Sequence, residues 1–124
     1  MKRLTLGLAA VLLATAAYAA APAKTGDSSL GKVWVDDSGM TLYTFDKDAS
    51  GKSNCNGDCA KKWPPFKAAA DAKDEGDWTV VTRGDGSKMW AYDGKPLYLW
   101  SKDAVPGDVT GDGVGGVWHA AKAD

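Results

Sequence analysis

Hydrophobic and polar positions alternate with a period of two over several short stretches of the chain. Val33 and Val35 alternate with polar neighbours, and a turn over residues 36–39 leads to a second stretch at 40–46. Residues 78–83 and 88–92 repeat this arrangement on either side of a Gly-Asp-Gly-Ser turn. Such alternation is typical of half-buried strands, and Gly, Asp and Ser are typical of the turns that join them. These stretches predict two antiparallel hairpins.

Further turn signals place the other elements. Asp93-Gly94 predicts a two-residue hairpin turn, because both central positions of that turn favour positive φ. Pro96 is expected to open the next strand, where its missing N–H is tolerated, and residues 116–121 to form the last one. One helical turn is predicted over 58–63 and a surface connection over 66–77. The fold class that follows is mostly β, a small antiparallel sheet domain with at most one or two short helical turns.

The chain contains an internal duplication. Residues 39–48 align without gaps on residues 94–103, an offset of 94 − 39 = 55, and the same offset places Trp63 on Trp118. We therefore expect two copies of one hairpin unit, about residues 30–66 and 78–121, that share a core. The expected core residues are Leu42, Tyr43, Phe45, Trp63, Trp90, Leu97, Tyr98, Trp100 and Trp118.

The first 19 residues have the pattern of a secretory signal peptide. A basic start and an apolar run over 4–16 precede Ala17-Tyr18-Ala19, which has the small-x-small pattern of a cleavage site. The run is shorter than the about 20 apolar residues of a spanning helix. Cleavage would leave 124 − 19 = 105 residues, comprising a flexible segment over 20–29 and one β domain over 30–124. The sequence thus predicts a periplasmic or secreted protein without a transmembrane segment after processing.

The charge of the processed chain excludes one class of partner. Loss of the signal peptide removes two basic side chains, so 13 remain against 16 acidic ones, a net charge of −3. A mildly acidic chain lacks the basic surface that nucleic-acid binding requires, so no nucleic-acid partner is expected.

The duplicated segment sets aromatic and acidic residues in a recurring pattern. Each copy has Tyr, a second aromatic residue and Asp at positions i, i+2 and i+5, so both rings lie on one face of a strand and the Asp follows its end. Two interpretations remain open. Either the rings are core and each Asp closes a turn, or the copies form an aromatic groove, edged by carboxylates, for a sugar, a peptide or a flat cofactor. The candidate ligand-binding residues are Tyr43, Phe45, Asp48, Tyr98, Trp100 and Asp103.

This tandem Tyr-x-(Phe/Trp)-x-x-Asp pattern, with the segment between the copies, resembles a known family. That segment is Cys55-x-Gly57-x-Cys59-Ala60-x-x-Trp63-Pro64-Pro65, and the closing segment over 106–119 is similar as well. The resemblance is to the bacterial secreted-repeat family, described as predicted lipoproteins with a Yx(FWY)xxD motif, and it covers about residues 30–120. Because that family has no established biochemical role, the resemblance implies little about activity. The chain lacks the lipobox cysteine of a lipoprotein.

Cysteine and histidine residues offer few sites for metal or redox chemistry. Cys55 and Cys59 are the only cysteines, and in an oxidising compartment thiols this close predict a disulfide. The alternatives are a reversible redox pair or a soft copper site shared with His119, the single histidine. Two stretches, from Asp46 and from Asp108, resemble half of an EF-hand loop without its final Glu, and turn chemistry explains them without calcium. No metal or cofactor is expected; the residues that would hold a metal are Asp108, Thr110, Asp112 and His119.

Catalysis has little support in the sequence. A nucleophile needs a base, usually His or a buried carboxylate, and this chain has one His and two cysteines that are expected to be oxidised. The sequence therefore predicts a non-enzymatic exported module that binds an unidentified envelope ligand or protein partner. The alternative is an envelope redox or metal-handling accessory protein, for copper or calcium.

Overall fold

The computed structural model describes residues 21–123, so the expected signal peptide, residues 1–19, lies outside the described residues. Regular structure in this range consists of seven short strands, one α-helix of five residues and one 3-10 turn. The elements are β1 (Lys24–Ser28), β2 (Gly31–Val35), β3 (Tyr43–Phe45), α1 (Asp58–Lys62), β4 (Trp78–Thr82), β5 (Lys88–Tyr92), β6 (Lys95–Pro96), the 3-10 turn (Val114–Gly116) and β7 (Trp118–Ala120). No helix in this range is both long and apolar enough to span a membrane.

The strands form small antiparallel sheets. β1 pairs with β2, β3 pairs with β7, and β5 lies between β4 and β6. Because β3 belongs to the first copy and β7 to the second, backbone pairing joins the two copies. The predicted fold class, mostly β with two related units and only short helical turns, is confirmed.

The backbone bonds of the two copies obey the 55-residue offset. Tyr43 and Tyr98, which the offset relates, exchange N–H to O bonds of 2.8 and 2.9 Å. Around them, further bonds between the copies form related pairs. One such pair is Asp46 N–H to Val117 O at 2.8 Å and Ser101 N–H to Lys62 O at 2.9 Å. The duplication in sequence is therefore an approximate two-fold relation in structure, with the two tyrosines at its centre.

The expected core residues lie in two adjoining clusters. Six of the nine are buried, and the other three are partly buried and pack against a cluster. The partly buried residues are Phe45, Trp90 and Trp100. Each copy contributes to both clusters, so neither copy has a hydrophobic core of its own.

The first predicted hairpin differs from the structure. Residues 40–46 were expected to pair with 32–36, but β3 covers only Tyr43–Phe45 and its ladder partner is β7. The predicted turn and the start of this hairpin are present, since Asp36 N–H donates to Met40 O at 3.0 Å and Leu42 N–H donates to Trp34 O at 2.9 Å. Pairing with β2 goes no further than an isolated bridge between Val35 and Thr41. Pairing with the other copy prevails here, because the edges of β3 are taken by β7 and by Tyr98. Local alternation carries no information about a partner more than 70 residues away.

The structure also adds a strand within the segment that was expected to be flexible. Residues 24–28, part of the predicted 20–29 segment, form β1 in register with all of β2. The sequence of β1 has no apolar alternation, and none of its five residues is buried. Backbone pairing with β2 is what orders this strand. The strand expected to open at Pro96 is also shorter, with β6 ending at that residue.

Candidate functional site

The Tyr and Asp residues of the duplicated pattern pair across the two copies. Tyr43 Oη donates to Asp103 Oδ2 at 2.6 Å, and Tyr98 Oη donates to Asp48 Oδ2 at 2.7 Å. Both tyrosines are 0 % exposed. Each carboxylate therefore bonds to the tyrosine of the other copy, and the two phenol–carboxylate bonds connect the repeats.

The second oxygen of each carboxylate accepts a hydrogen bond from a turn. Asp48 Oδ1 accepts from Asn54 N–H at 2.6 Å, and Asp103 Oδ1 accepts from Thr110 N–H at 3.1 Å. These bonds match the first of the two interpretations, in which each Asp closes a turn. Burial raises the pKa of the Asp48 carboxyl, and the bond from Tyr98 partly offsets that rise. Burial and the adjacent carboxylates also raise the pKa of both tyrosines well above the ordinary phenol value.

A buried guanidinium lies beside one of the two pairs. Arg83 is 7 % exposed; it donates to Ser53 Oγ at 2.9 Å and to Cys55 O at 2.7 Å. Ser53 Oγ lies 2.6 Å from Tyr98 Oη, so Arg83, Ser53, Tyr98 and Asp48 form one connected chain. The positive charge of Arg83 lowers the pKa of Asp48, against the larger effect of burial.

Four rings stack into a column, here called the aromatic column, in the order Phe45, Trp118, Trp63, Trp100. Successive ring centroids lie 4.2, 3.8 and 3.9 Å apart, and the planes of the two inner indoles differ by 2°. The rings come alternately from the first and the second copy. The two inner rings are buried, and the two end rings are partly exposed.

Each inner indole also receives the edge of a paired tyrosine. Tyr43 meets Trp63 at 5.4 Å and 78°, and Tyr98 meets Trp118 at 5.2 Å and 88°. Edge-to-face contacts of this kind place the positive ring edge on the negative indole face. All six residues of the candidate binding set thus touch one continuous aromatic and carboxylate network.

The four candidate rings do not line a common groove. Tyr43 and Tyr98 have no exposed surface, and Phe45 and Trp100 lie at opposite ends of the aromatic column. Among the six candidates, only Phe45 and Asp48 border a surface cavity of substantial size described below. The two tyrosines therefore stabilise the fold. A ligand in the cavity beside Phe45 would contact the aromatic column only through that ring.

A groove with charged walls runs beside β3 and the Asp93-Gly94 turn; we call it the charged groove. It consists of two adjoining cavities of about 270 and 340 Å³ that share four lining residues. The shared residues are Thr44, Asp46, Asp93 and Lys95. One cavity extends to Phe45 and Asp48, and the other to His119 and Lys122.

Both signs of charge line the charged groove. His119 Nε2 lies 2.8 Å from Asp46 Oδ2, and about half of each of these side chains is exposed. Asp93 is exposed in the turn before β6 with a left-handed backbone, φ 53°. Lys95 and Lys122 add two exposed ammonium groups. The floor is apolar, and it includes Pro96 and Leu97, which are buried.

The same groove exists in the other copy with different walls. The 55-residue offset maps seven lining residues of the charged groove onto those of a cavity of about 380 Å³, here called the proline groove. Six of the correspondences are His119 to Pro64, Ala120 to Pro65, Ala121 to Phe66, Lys122 to Lys67, Thr44 to Leu99 and Tyr92 to Asp37. Asp46 corresponds to Ser101 and Asp93 to Ser38. The backbone framework is thus repeated. The imidazole of His119 and the carboxylates of Asp46 and Asp93 have no counterpart at the related positions, and the carboxylates that line the proline groove, Asp36 and Asp37, lie at other positions.

The sequence analysis treated Asp93 only as a turn residue, placed Asp46 in a calcium-like loop, and did not single out Lys95 or Lys122. For Asp46, Asp93 and Lys95 a signal was present in the duplication, because the other copy has an uncharged residue at each related position. Lys122 corresponds to Lys67 and carries no such signal. Positions at which the two copies carry the same residue identify side chains that the fold requires. Positions at which the copies differ identify several of the charged residues in the walls of the charged groove.

The expected disulfide is present. Cys55 and Cys59 are bonded, with Cα atoms 5.2 Å apart, and the bridge connects the loop before α1 to its first turn. Trp63 N–H donates to Cys59 O at 2.8 Å, so the bridge fixes the segment that delivers Trp63 to the aromatic column.

The residues named for a metal have other partners. Asp108 Oδ2 accepts from two backbone N–H groups, Asp112 Oδ1 accepts from Ala120 N–H, and Thr110 donates to Asp103. Within residues 21–123, no three His, Cys, Asp or Glu side chains lie close enough together to hold a metal ion. His119 is paired with Asp46 and faces the charged groove.

The chain belongs to a family described as a secreted repeat of unknown function. The family model matches twice, over residues 24–67 and 79–122, and the two matches differ by the same 55-residue offset. The resemblance inferred from the motifs is therefore confirmed. No curated protein and no solved structure matches the chain.

Proposed function

We propose that the protein is a non-enzymatic binding module of the periplasm or the extracellular space, and that its ligand occupies the charged groove. The observation that carries the proposal is the difference between the two copies. At the position of His119 the other copy has Pro64, and at that of Asp46 it has Ser101. In the other copy, the same backbone forms with no ionisable side chain at these two positions. We therefore infer that the charges of His119 and Asp46 are not required for folding.

The dimensions and chemistry of the charged groove suit a small polar ligand or a peptide segment. Its two cavities together are of the order of typical ligand pockets, about 300–1,000 Å³. Asp93, Lys95 and the Asp46–His119 pair offer charge of both signs, and the Phe45 ring with Pro96 offers apolar contact. A ligand that carries both an ammonium and a carboxylate group, as a peptide or an amino acid does, complements such walls.

The same geometry supports the absence of catalysis. The imidazole of His119 is bonded through Nε2 to Asp46, and among the described residues no hydroxyl group is hydrogen-bonded to the ring. An activated nucleophile requires such a bond to its base. The cysteines are bonded to each other. We therefore propose recognition without turnover.

Nuclear magnetic resonance on the mature, ¹⁵N-labelled protein tests this proposal. The probes are free amino acids, short peptides, neutral sugars and inorganic phosphate, titrated one at a time. We expect saturable shifts for the peptide or amino-acid probes at residues 44–46, 93–95 and 119–122. Asp93→Ser and Asp46→Ser, which introduce the residues of the other copy, should weaken binding.

Asp37→Ser, in the proline groove, is the matched control and should leave the affinity unchanged. Shifts centred on the proline groove, or no saturable shift with any of the four probe classes, contradict the proposal. Measurable turnover of any bound probe contradicts its non-enzymatic part.

A further inference from the structure

The two buried phenol–carboxylate pairs are more polar than a core requires. Phenylalanine at positions 43 and 98 would fill the same volume without burying a hydroxyl and part of a carboxylate, which is costly even when they are hydrogen-bonded. Both copies nevertheless carry the pair, at 2.6 and 2.7 Å. Each phenol also touches an indole that is stacked in the aromatic column.

The aromatic column connects the surface to these phenols through ring contacts alone. Trp100 is partly exposed, stacks on Trp63 at 3.9 Å, and Trp63 stacks on Trp118 at 3.8 Å. Indole and phenol are the side chains that lose a single electron most readily after thiolate, and van der Waals contact between rings gives strong electronic coupling. A near-parallel indole pair also shares a positive charge between its members, which stabilises the oxidised state.

We propose that the aromatic column is a one-electron relay, in which an oxidant at the Trp100 end takes an electron that is finally supplied by buried Tyr98. The oxidant class is a strong one-electron oxidant, such as a peroxide-derived radical. The entry ring of the relay, Trp100, lies at the end of the column opposite to the charged groove, and the relay does not depend on the binding role proposed above.

The electron and proton of this reaction have defined destinations. Trp100 loses one electron to the oxidant and regains one from Trp63, and Trp63 in turn regains one from Trp118. Tyr98 returns one electron to Trp118, its O–H bond breaks, and the proton moves 2.7 Å to Asp48 Oδ2. The products are the reduced oxidant, a neutral tyrosyl radical and a carboxylic acid. A small thiolate reductant restores the phenol by supplying one electron, while Asp48 returns the proton.

Two features favour Tyr98 over Tyr43 as the electron source. Asp48 is the carboxylate whose pKa is raised by burial, which makes it the better proton acceptor. Asp103 instead accepts two hydrogen bonds from Thr110 on its other oxygen. Burial does not distinguish the two tyrosines, since both are 0 % exposed and a radical on either would be shielded from solvent.

Time-resolved absorption after photochemical oxidation tests the relay in the intact mature protein. The probe oxidant is tris(bipyridine)ruthenium(III), generated by a laser flash in the presence of persulfate. We expect the tryptophanyl radical band to appear first and to convert into the tyrosyl radical band. Tyr98→Phe should lower the tyrosyl yield several-fold and prolong the tryptophanyl signal. Asp48→Asn should slow the conversion and reduce its solvent isotope effect, a readout that a purely structural role would not change.

Control variants distinguish electron transfer along the aromatic column from non-specific oxidation of the protein. Tyr92→Phe and Trp90→Phe change rings outside the aromatic column and should leave yield and rate unchanged. Trp100→Phe keeps the stacking but removes the oxidisable entry ring, and it should slow radical formation without altering the circular dichroism of the fold. Equal tyrosyl yields in wild type and in the Tyr43→Phe/Tyr98→Phe double variant overturn the proposal. So does an equal loss of yield in Tyr92→Phe and Tyr98→Phe.

Discussion

Gly111 lies against Trp63 and Trp100 in the aromatic column, so one added methyl group there tests how tightly these two rings are packed. A Cβ atom on Gly111 would lie 2.8 Å from a ring carbon of Trp63 and 3.0 Å from two of Trp100. Separations near 3.0 Å are well inside carbon–carbon contact, about 3.5–4.0 Å. The Trp63 ring cannot yield freely, because it is stacked on both of its faces, whereas Trp100 is stacked on Trp63 alone.

The expected effect of Gly111→Ala is the sum of two opposing contributions. Overpacking a filled core costs about 1–3 kcal/mol. The backbone of Gly111 does not have a positive φ, so the lower entropy of the unfolded chain restores about 0.4–1 kcal/mol. The two ranges leave a net loss in the free energy of unfolding of about 0–2.6 kcal/mol. The 2.8 Å approach to Trp63 places the expected value in the upper part, about 1–2 kcal/mol, which lowers Tm by about 4–16 °C in a domain of this size.

Gly84→Ala is the matched control for this measurement. Gly84 also lacks a positive φ, and no atom lies within 4 Å of the position its Cβ would take. We expect this variant to be as stable as the wild type or more stable, by about 0.4–1 kcal/mol. Urea unfolding followed by Trp fluorescence gives both values. Equal stability of Gly111→Ala and Gly84→Ala would refute the tight packing of the aromatic column.

Four further predictions concern other parts of the chain. Burial raises the pKa of Asp48 in the folded state. The contribution of the Asp48 carboxyl to stability is therefore complete below its unfolded pKa of about 3.9 and is lost as pH rises through the raised pKa. In urea unfolding, the free energy of unfolding of the wild type relative to Asp48→Asn should decrease from acid to neutral pH. The Cys55→Ser/Cys59→Ser variant should lose about 2 kcal/mol, the value for a loop this short, and reduction of the wild type should cause the same shift of the unfolding midpoint. Calcium and copper titrations should leave Trp fluorescence unchanged, because Asp108 and Asp112 already accept backbone N–H groups; saturable quenching that Asp108→Asn abolishes would contradict this. N-terminal sequencing of the exported protein should give Ala20 or Ala21, and an intact residue 1 would contradict the expected signal peptide.

Prediction from sequence worked where the cause is local or is repeated within the chain. The turn at Asp93-Gly94 and the hairpin of β4 and β5 depend on residues that are neighbours in sequence, and they occur as expected. The core could be identified because the duplication marks Tyr43, Tyr98 and the distant tryptophans. The disulfide followed from compartment and spacing alone.

Prediction failed where one copy determines the structure of the other. The short β3 and its pairing with β7 depend on the second copy. The strand β1 was missed for a different reason, because none of its residues is buried and its ladder with β2 of the same copy supplies its order. The exchange of carboxylates between the copies also has no local signal, since Asp48 lies five residues after Tyr43 yet bonds to Tyr98. A motif that recurs within a chain thus identifies which residues cooperate without showing which copy supplies each partner.

A duplicated chain also contains its own reference for separating fold from function. Positions that both copies keep, such as the Tyr, the Asp and the stacked Trp, are those that the two-fold packing requires of each copy. Positions where one copy is ionisable and the other is proline or serine are free of that requirement, because the same backbone forms with either. His119 against Pro64 and Asp46 against Ser101 are such positions, and both charged members lie in one groove. This difference between the copies at exposed, ionisable positions is the basis of our proposal that the charged groove binds a ligand.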